Sequence, residues 1–313
     1  MSPPETPSSA VHRTIPSGAA RLEQLRARLR QRPLVGDGAM GTQLQSLGLA
    51  PGECGVRWNS EAAEKVAHVH RQYLDAGADL LTTNTFSGSA LALAAHGLEA
   101  RGRELNRLGA ELARHVAGER AFVLGDVGPF GGLLEPYGDT APEAAEAAFR
   151  AQSAALLEGG ADAILVETMS DPAEATLAIR AARAEGADCV IATFTFQPTP
   201  AGHRTMMGND VATVVRAAIE AGAEMVGANC GTGLSLDDYA MLAVELVAAA
   251  AGRPVIVQPN AGAPELSAGG IVYRTSAAGF GEAAQRFRAA GVRIVGGCCG
   301  TTPAHIAAVK ASR

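Results

Sequence analysis

The chain has 313 residues, 47% of them hydrophobic, which is enough to bury a large core in one big α/β domain or two smaller ones. Its net charge of -6 argues against a duplex-binding surface, because neutralising phosphates takes clustered lysine and arginine. Its five cysteines are odd in number and widely spaced, which does not suit the disulfide framework of a small secreted domain, so reduced thiols are expected.

Residues 1–20 are rich in Pro, Ser and Thr and lack hydrophobic periodicity, so they are expected to be a disordered lead-in to a single domain over residues 21–313. The stretch Met1 to Ala10 has neither a basic n-region nor an apolar h-region, and no apolar run reaches membrane-spanning length. The expectation is a soluble cytoplasmic protein with neither a membrane nor a nucleic acid as partner. A short helix follows over Arg21 to Arg30, with Leu22, Leu25 and Leu29 on one face.

A near-repeat then runs along the chain: a helical stretch, Gly-Ala-Asp or a relative of it, and an apolar strand that ends in polar or glycine residues. Five copies are visible, at Ala76–Phe86, Gly159–Thr168, Gly186–Thr195, Gly222–Cys230 and Gly291–Gly300, and in each a glycine ends the preceding helix. The runs Pro33–Asp37, Ala121–Asp126 and Pro254–Pro259 read as three further strands. Eight strands separated by Ala-rich helical segments predict an α/β fold, a (β/α)8 TIM barrel, and residues 33–310 suit its usual length of about 250. A doubly wound open sheet is the alternative, though it needs a switch-point crevice and fewer strands.

Function on such a barrel collects at the C-terminal ends of the strands. In chain order these ends carry Asp37-Gly38, Asn84, Asp126, Glu167, Thr195 with Gln197, Asn229-Cys230, Gln258 with Asn260, and Cys298-Cys299. The rim therefore offers thiols, carboxylates and amides and no positive side chain. The only lysines, Lys65 and Lys310, fall on predicted helices, which disfavours imine chemistry. The seven histidines fall in helices, loops or the tail, which disfavours a histidine-bound metal or a Ser-His-Asp triad.

Cys230 ends the sixth strand and Cys298 the eighth, about two strand spacings apart on a closed rim. Cys298 and Cys299 can face one point only if the strand has ended there, a turn that Gly296, Gly297 and Gly300 permit. Three thiols are one ligand short of a closed tetrahedral zinc shell, which marks a catalytic site rather than a structural one. Cys54 and Cys189 read instead as small buried hydrophobes. Three thiolates around Zn2+ leave a net charge of -1, a poor activator of water but a good host for a substrate thiol, whose pKa the metal lowers.

The runs Gly36–Gln45, Thr83–Phe86, Gly227–Gly231, Pro259–Gly262 and Gly296–Pro303 resemble the homocysteine S-methyltransferase family over about residues 33–310, and in particular the homocysteine-binding domain of cobalamin-dependent methionine synthase. The resemblance implies a zinc-bound homocysteine thiolate that takes a methyl group to give methionine. It implies Cys230, Cys298 and Cys299 as ligands, Glu167 as the binder of the amino group, and Asp37 with the backbone of Gly38, Ala39 and Met40 around the amino-acid head group. Asn260 is a candidate fourth ligand when substrate is absent, and Asn84 and Asn229 are candidate substrate contacts.

Plainer roles stand beside these. Asp37 could cap the following helix, Asn84 and Asn229 could be polar plugs closing the barrel, and Met40 could simply pack. The folate- and cobalamin-binding modules of large methionine synthases have no counterpart in 313 residues. The expected methyl donor is therefore S-methylmethionine, S-adenosylmethionine, a betaine, or a separate methyl-corrinoid or folate partner. An acidic rim favours a cationic donor, with Trp58, Phe130 and Tyr137 as the aromatics near predicted top loops. Two other readings are a methyl-acceptor or zinc-thiol subunit active only within a corrinoid complex, and a barrel enzyme whose last glycines cradle a phosphate.

Overall fold

The computed structural model describes residues 18–267 and 270–313. The expected lead-in lies outside the described residues as far as residue 17, whereas residues 18–20 already belong to the first helix, Gly18–Gln31. Eight parallel strands follow in the predicted order. They are β1 (Leu34–Val35), β2 (Leu80–Thr82), β3 (Phe122–Val127), β4 (Ala163–Met169), β5 (Val190–Phe194), β6 (Met225–Cys230), β7 (Val255–Pro259) and β8 (Ile294–Val295).

Each strand pairs in parallel with its neighbour in the chain, except that β1 pairs with β8, so the sheet curls into a ring with helices outside it. The seam between β1 and β2 is closed largely by two carboxylates rather than by a ladder. The Asp79 N–H donates to the Val35 carbonyl at 2.7 Å, and the Val35 N–H donates back to the Asp79 carboxylate at 2.9 Å. One turn higher, Thr82 donates its N–H and its hydroxyl to the two oxygens of Asp37, at 2.7 and 2.9 Å.

The near-repeat now has a physical cause. Its glycines at positions 77, 160, 186, 222 and 291 all have positive φ, the left-handed conformation that turns a helix end back toward the sheet. The following acid in two copies, Asp79 and Asp162, accepts the N–H of the preceding strand's residue, Val35 and Val123 respectively. The repeat encodes how each βα unit re-enters the ring.

Alternation along the strands sets two levels inside the barrel. Leu34, Leu80, Phe122, Leu124, Leu165, Ile191, Met225, Ile256 and Ile294 fill the lower level, where Leu22, Leu25 and Leu29 of the first helix join them as a bottom plug. Two residues further along the same faces come Asp126, Glu167, Thr193 and Gln258, so the interior turns polar at the C-terminal end. The sequence reading missed two small antiparallel hairpins, Gln197–Thr199 with Gly202–Arg204 after β5, and Glu265–Ser267 with Gly270–Val272 after β7. Gln197, expected at a strand end, is exposed on the first of these.

The plug is also pinned by charge. Arg21, 3% exposed, donates to Asp162, which also receives Arg114 and the Val123 N–H. Replacing the shared carboxylate strands two guanidinium groups. The Asp162→Ala variant is expected to lose about 3–5 kcal/mol of stability in a denaturant titration, whereas a loss below about 1 kcal/mol would place the network in the class of exposed ion pairs.

Candidate active site

The polar strand ends enclose a cavity of about 440 Å³. Its wall includes Asp37, Gly38, Ala39, Met40, Asn84 and Glu167 from the expected substrate contacts, together with Cys230, Cys298 and Cys299. Asn229 and Asn260 lie behind the wall. Among the described residues no lysine, arginine or histidine lines it, while Asp37, Glu53, Asp126 and Glu167 all do.

Three sulfurs from two strand ends meet here, all within 4.8 Å of one another. Cys230 closes β6 in a left-handed conformation, φ 60°, which breaks the alternation and swings its thiol toward β8. On the other side β8 has ended at Val295, so Cys298 and Cys299 sit on a turn and their sulfurs lie 4.0 Å apart. A tetrahedral zinc with bonds of 2.3 Å would space its sulfurs about 3.8 Å apart. The trio therefore fits a zinc ion without rearrangement of the chain.

Electrostatics point the same way. Hydrogen bonds from the thiols of Cys230 and then Cys298, joined by one from the Tyr273 hydroxyl, hold the Cys299 thiol down to about 3. Cys298, donating to Cys230 and Cys299 and buried, is pushed well above the ordinary thiol range. A sulfur cluster in which one thiol ionises readily suits a cation. Beside them the Asn260 Oδ1 is buried and without a hydrogen-bond partner, while its amide N–H reaches the Gly231 carbonyl at 3.4 Å. Asn260 also hydrogen-bonds the Cys230 thiol, which favours its charged form.

Opposite the thiols are the carboxylates. Glu167 sits where the β4–β5 register shifts between Val166 and Met169, and Thr168 beside it has φ 62°. This bulge re-aims the strand end so that Glu167 joins the cavity wall. Burial, then the nearby charges of Asp37 and Cys299, raises Glu167 to about 8. Burial also raises Asp37 to about 7 against the hydrogen bonds from Thr82, and it raises Asp126 well above the usual carboxylate range, with Glu167 and Asp37 adding repulsion. The oxygens Asp126 Oδ1 and Gln258 Oε1 are buried and unpartnered.

Several expected contacts have different roles. Asp37 does not cap the next helix, Gly41–Ser46, whose N-cap is Met40 with no side-chain bond; its two oxygens hold Thr82 at the barrel seam while its side chain borders the cavity. The Ala39 N–H is taken by the Thr301 hydroxyl at 3.0 Å. Asn84 borders the cavity, but its amide N–H groups go to the Gly55 carbonyl and the Asn59 side chain.

Asn229 is fully buried. It accepts from the Thr168 N–H and the Thr193 hydroxyl and donates to the Thr168 hydroxyl, so it stabilises the bulge that presents Glu167. Trp58 and Phe130 are packed away and Tyr137 is exposed, so none of the three expected aromatics lines the cavity; Phe86 does. Thr301, Tyr73 and Tyr273 were not singled out from sequence. Thr301 had a signal, standing three residues after Cys298 inside the Gly296–Pro303 run, whereas a helix tyrosine such as Tyr73 had none.

A carboxyl raised by folding is protonated in the native state over a pH range where the unfolded chain has lost the proton. Stability from Glu167 is therefore greatest below its unfolded value of about 4.3 and is lost as pH rises through about 8. In metal-free, substrate-free protein, Glu167→Gln is expected to flatten the fall in stability between those two values, read from denaturant midpoints at a series of pH values. Parallel wild-type and variant curves would contradict the assignment.

Residues 34–312 match the family described as homocysteine S-methyltransferase. The chain is 35% identical over 300 residues to methionine synthase of Mycobacterium tuberculosis (strain ATCC 25618 / H37Rv), covering 91% of this chain and 25% of that protein. It is likewise 35% identical to methionine synthase of Mycobacterium leprae (strain TN), covering 91% of this chain and 24% of that one. The chain thus spans about a quarter of the length of these curated relatives. Among solved structures, the metallated form of the homocysteine methyltransferase MmuM from Escherichia coli superposes with a TM-score of 0.76 at 27% identity, covering 92% of this chain and 99% of that one. The match spans the whole ring of strands and both cysteine-bearing ends, and the chain belongs to the homocysteine S-methyltransferase family.

Proposed function

We propose that this protein is a zinc-dependent S-methyltransferase that moves a methyl group from a donor to the thiol of homocysteine, giving methionine. The observation that carries this is the convergence of Cys230, Cys298 and Cys299 on one wall of a cavity whose other wall is carboxylate. When bound, zinc supplies a fourth coordination position at which a thiol ionises near neutral pH.

The chain's own groups hold the rest of the substrate. Glu167 receives the ammonium group, which draws its carboxyl to the charged form, and Asp126 adds a second acceptor. The backbone N–H groups of Gly38 and Met40 receive the substrate carboxylate, since that of Ala39 is committed to Thr301. Held at both ends, the sulfur faces the cavity mouth. Its lone pair attacks the donor's methyl carbon, the new S–C bond forms as the donor's bond to that carbon breaks, and the leaving pair stays on the donor. Among the described residues the wall's titratable groups are carboxyls and thiols, to which the thiol proton can pass before the attack.

A cationic sulfonium or ammonium donor such as S-methylmethionine, S-adenosylmethionine or a betaine suits a wall that carries four carboxyl groups and, among the described residues, no lysine, arginine or histidine. A second reading, transfer from a methyl-corrinoid or folate partner, is favoured by the identity to methionine synthases of which this chain spans about a quarter. A phosphate cradle after β8 has little support, because the N–H groups of Gly296, Gly297 and Cys298 already donate to the Val257, Asp37 and Pro259 carbonyls. No helix among the described residues is long and apolar enough to cross a membrane. A cytoplasmic setting, which keeps thiols reduced, suits the site.

Purified protein is expected to carry about one zinc per chain and to lose metal and homocysteine binding together on chelation. Because loss of an outer partner to a metal ligand costs about 10–100-fold, loss of a ligand in Cys230→Ser, Cys298→Ser or Cys299→Ser should slow single-turnover methyl transfer by more than about 100-fold. Cys54→Ser and Cys189→Ser should not. A panel of small donors separates the two readings of the methyl source: turnover by the isolated chain favours a diffusible cation, and turnover only with an added corrinoid protein favours the partner. Wild-type rates in all three cysteine variants would end the proposal.

A further inference from the structure

We propose that Thr301 is a positioning residue that locks the head-group loop, Asp37 to Met40, to the cysteine turn, so that one hydroxyl sets the geometry of both halves of the site. The inference rests on the zinc and homocysteine reading above and adds a residue to it.

Thr301 is fully buried and is not among the residues that line the cavity. Its hydroxyl donates to the Cys298 carbonyl at 2.7 Å and accepts the Ala39 N–H at 3.0 Å. That oxygen therefore joins two segments 262 positions apart in the chain. Its backbone repeats the link: the Thr301 N–H reaches the same Cys298 carbonyl at 3.1 Å, and the Thr301 carbonyl accepts from the Tyr73 hydroxyl at 3.2 Å and from the Gln43 side chain at 3.3 Å. Tyr73 makes its shorter bond, 2.8 Å, to the Ala39 carbonyl. Ala39 is thus held at both of its backbone polar groups, by Thr301 on the N–H and by Tyr73 on the carbonyl.

Crowding shows that the segments are pressed together rather than merely near. A Cβ on Gly38 would lie 2.7 Å from the Thr301 hydroxyl and 2.8 Å from the Tyr73 ring, and one on Gly297 would lie 2.5 Å from the same hydroxyl. Both glycines leave room for Thr301. Between them the Gly297 N–H donates to the Asp37 carbonyl at 2.8 Å. A displacement of the loop is transmitted to the turn that carries two of the three sulfurs, and the reverse holds equally.

The test replaces the hydroxyl by a methyl of similar shape, Thr301→Val, and restores it in Thr301→Ser. Zinc affinity of metal-free protein is measured by competition with a chromophoric chelator, and homocysteine affinity by calorimetry on the zinc-loaded form. Thr301→Val is expected to weaken both, each by about 10-fold or more, while Thr301→Ser stays within about threefold of wild type. Wild-type values for both ligands in Thr301→Val, with only the melting temperature lowered, would reduce Thr301 to a packing residue. Loss of zinc affinity alone would overturn the link to the head-group loop. If Thr301→Val does not fold, Thr301→Ala removes the same hydroxyl with less bulk and is judged by the same two affinities against Thr301→Ser. Wild-type protein that binds no zinc would end the zinc reading and this inference with it; wild-type binding with an unaffected hydroxyl variant would end this inference alone.

Discussion

Closure of the eight-stranded ring is the constraint from which the rest follows. Parallel strands can be buried on both faces only when helices cover the outside and the inside is filled. The lower interior is filled with branched apolar side chains and the three leucines of the first helix. Because every strand alternates, the same inward faces continue upward to Asp126, Glu167, Thr193 and Gln258. The ring therefore forces polar groups together at one end, away from water and close to one another. At its weakest point, between β1 and β2, side-chain carboxylates make the joint that the backbone ladder leaves open, and one of these, Asp37, also borders the cavity.

That crowding explains the unusual chemistry of the cavity. Burial raises the carboxyls of Asp37 and Glu167, and hydrogen bonds from Cys230 and Cys298 lower the Cys299 thiol. Unpartnered oxygens on Asp126, Gln258 and Asn260 are costly when buried. A fold retains such groups where something else satisfies them. Under the function proposed above, an ammonium group facing the acids and a soft dication facing the sulfurs would do so. Left-handed Thr168 and Cys230 mark the same place in the backbone, as strain does at functional sites.

Several polar side chains near the cavity also hold the framework. Asn229 stabilises the bulge under Glu167, Asn84 ties the β2 end to the loop at Gly55, and Thr301 binds the first loop to the last turn. These residues cannot be told from ligand contacts by type, since an asparagine at a strand end has the same composition whether it faces the cavity or the next strand. Cys230, Cys298 and Cys299 stood out in the sequence because thiols at glycine-flanked strand ends carry a chemistry that metal binding uses.

The sequence by itself determined the number and order of the strands, the plug face of Leu22, Leu25 and Leu29, and the three cysteines. All of these are local patterns: apolar runs, helical spacing, helix-ending glycines and residue chemistry at strand ends. It could not show that residues 18–20 are helical, that hairpins follow β5 and β7, or that Asp37 closes the seam. Only the tertiary structure decided which polar side chains face the cavity and which face each other. The reason is distance along the chain: Ala39 meets Thr301 across 262 positions and Thr168 meets Asn229 across 61, and no local pattern encodes contacts that exist only once the ring has closed.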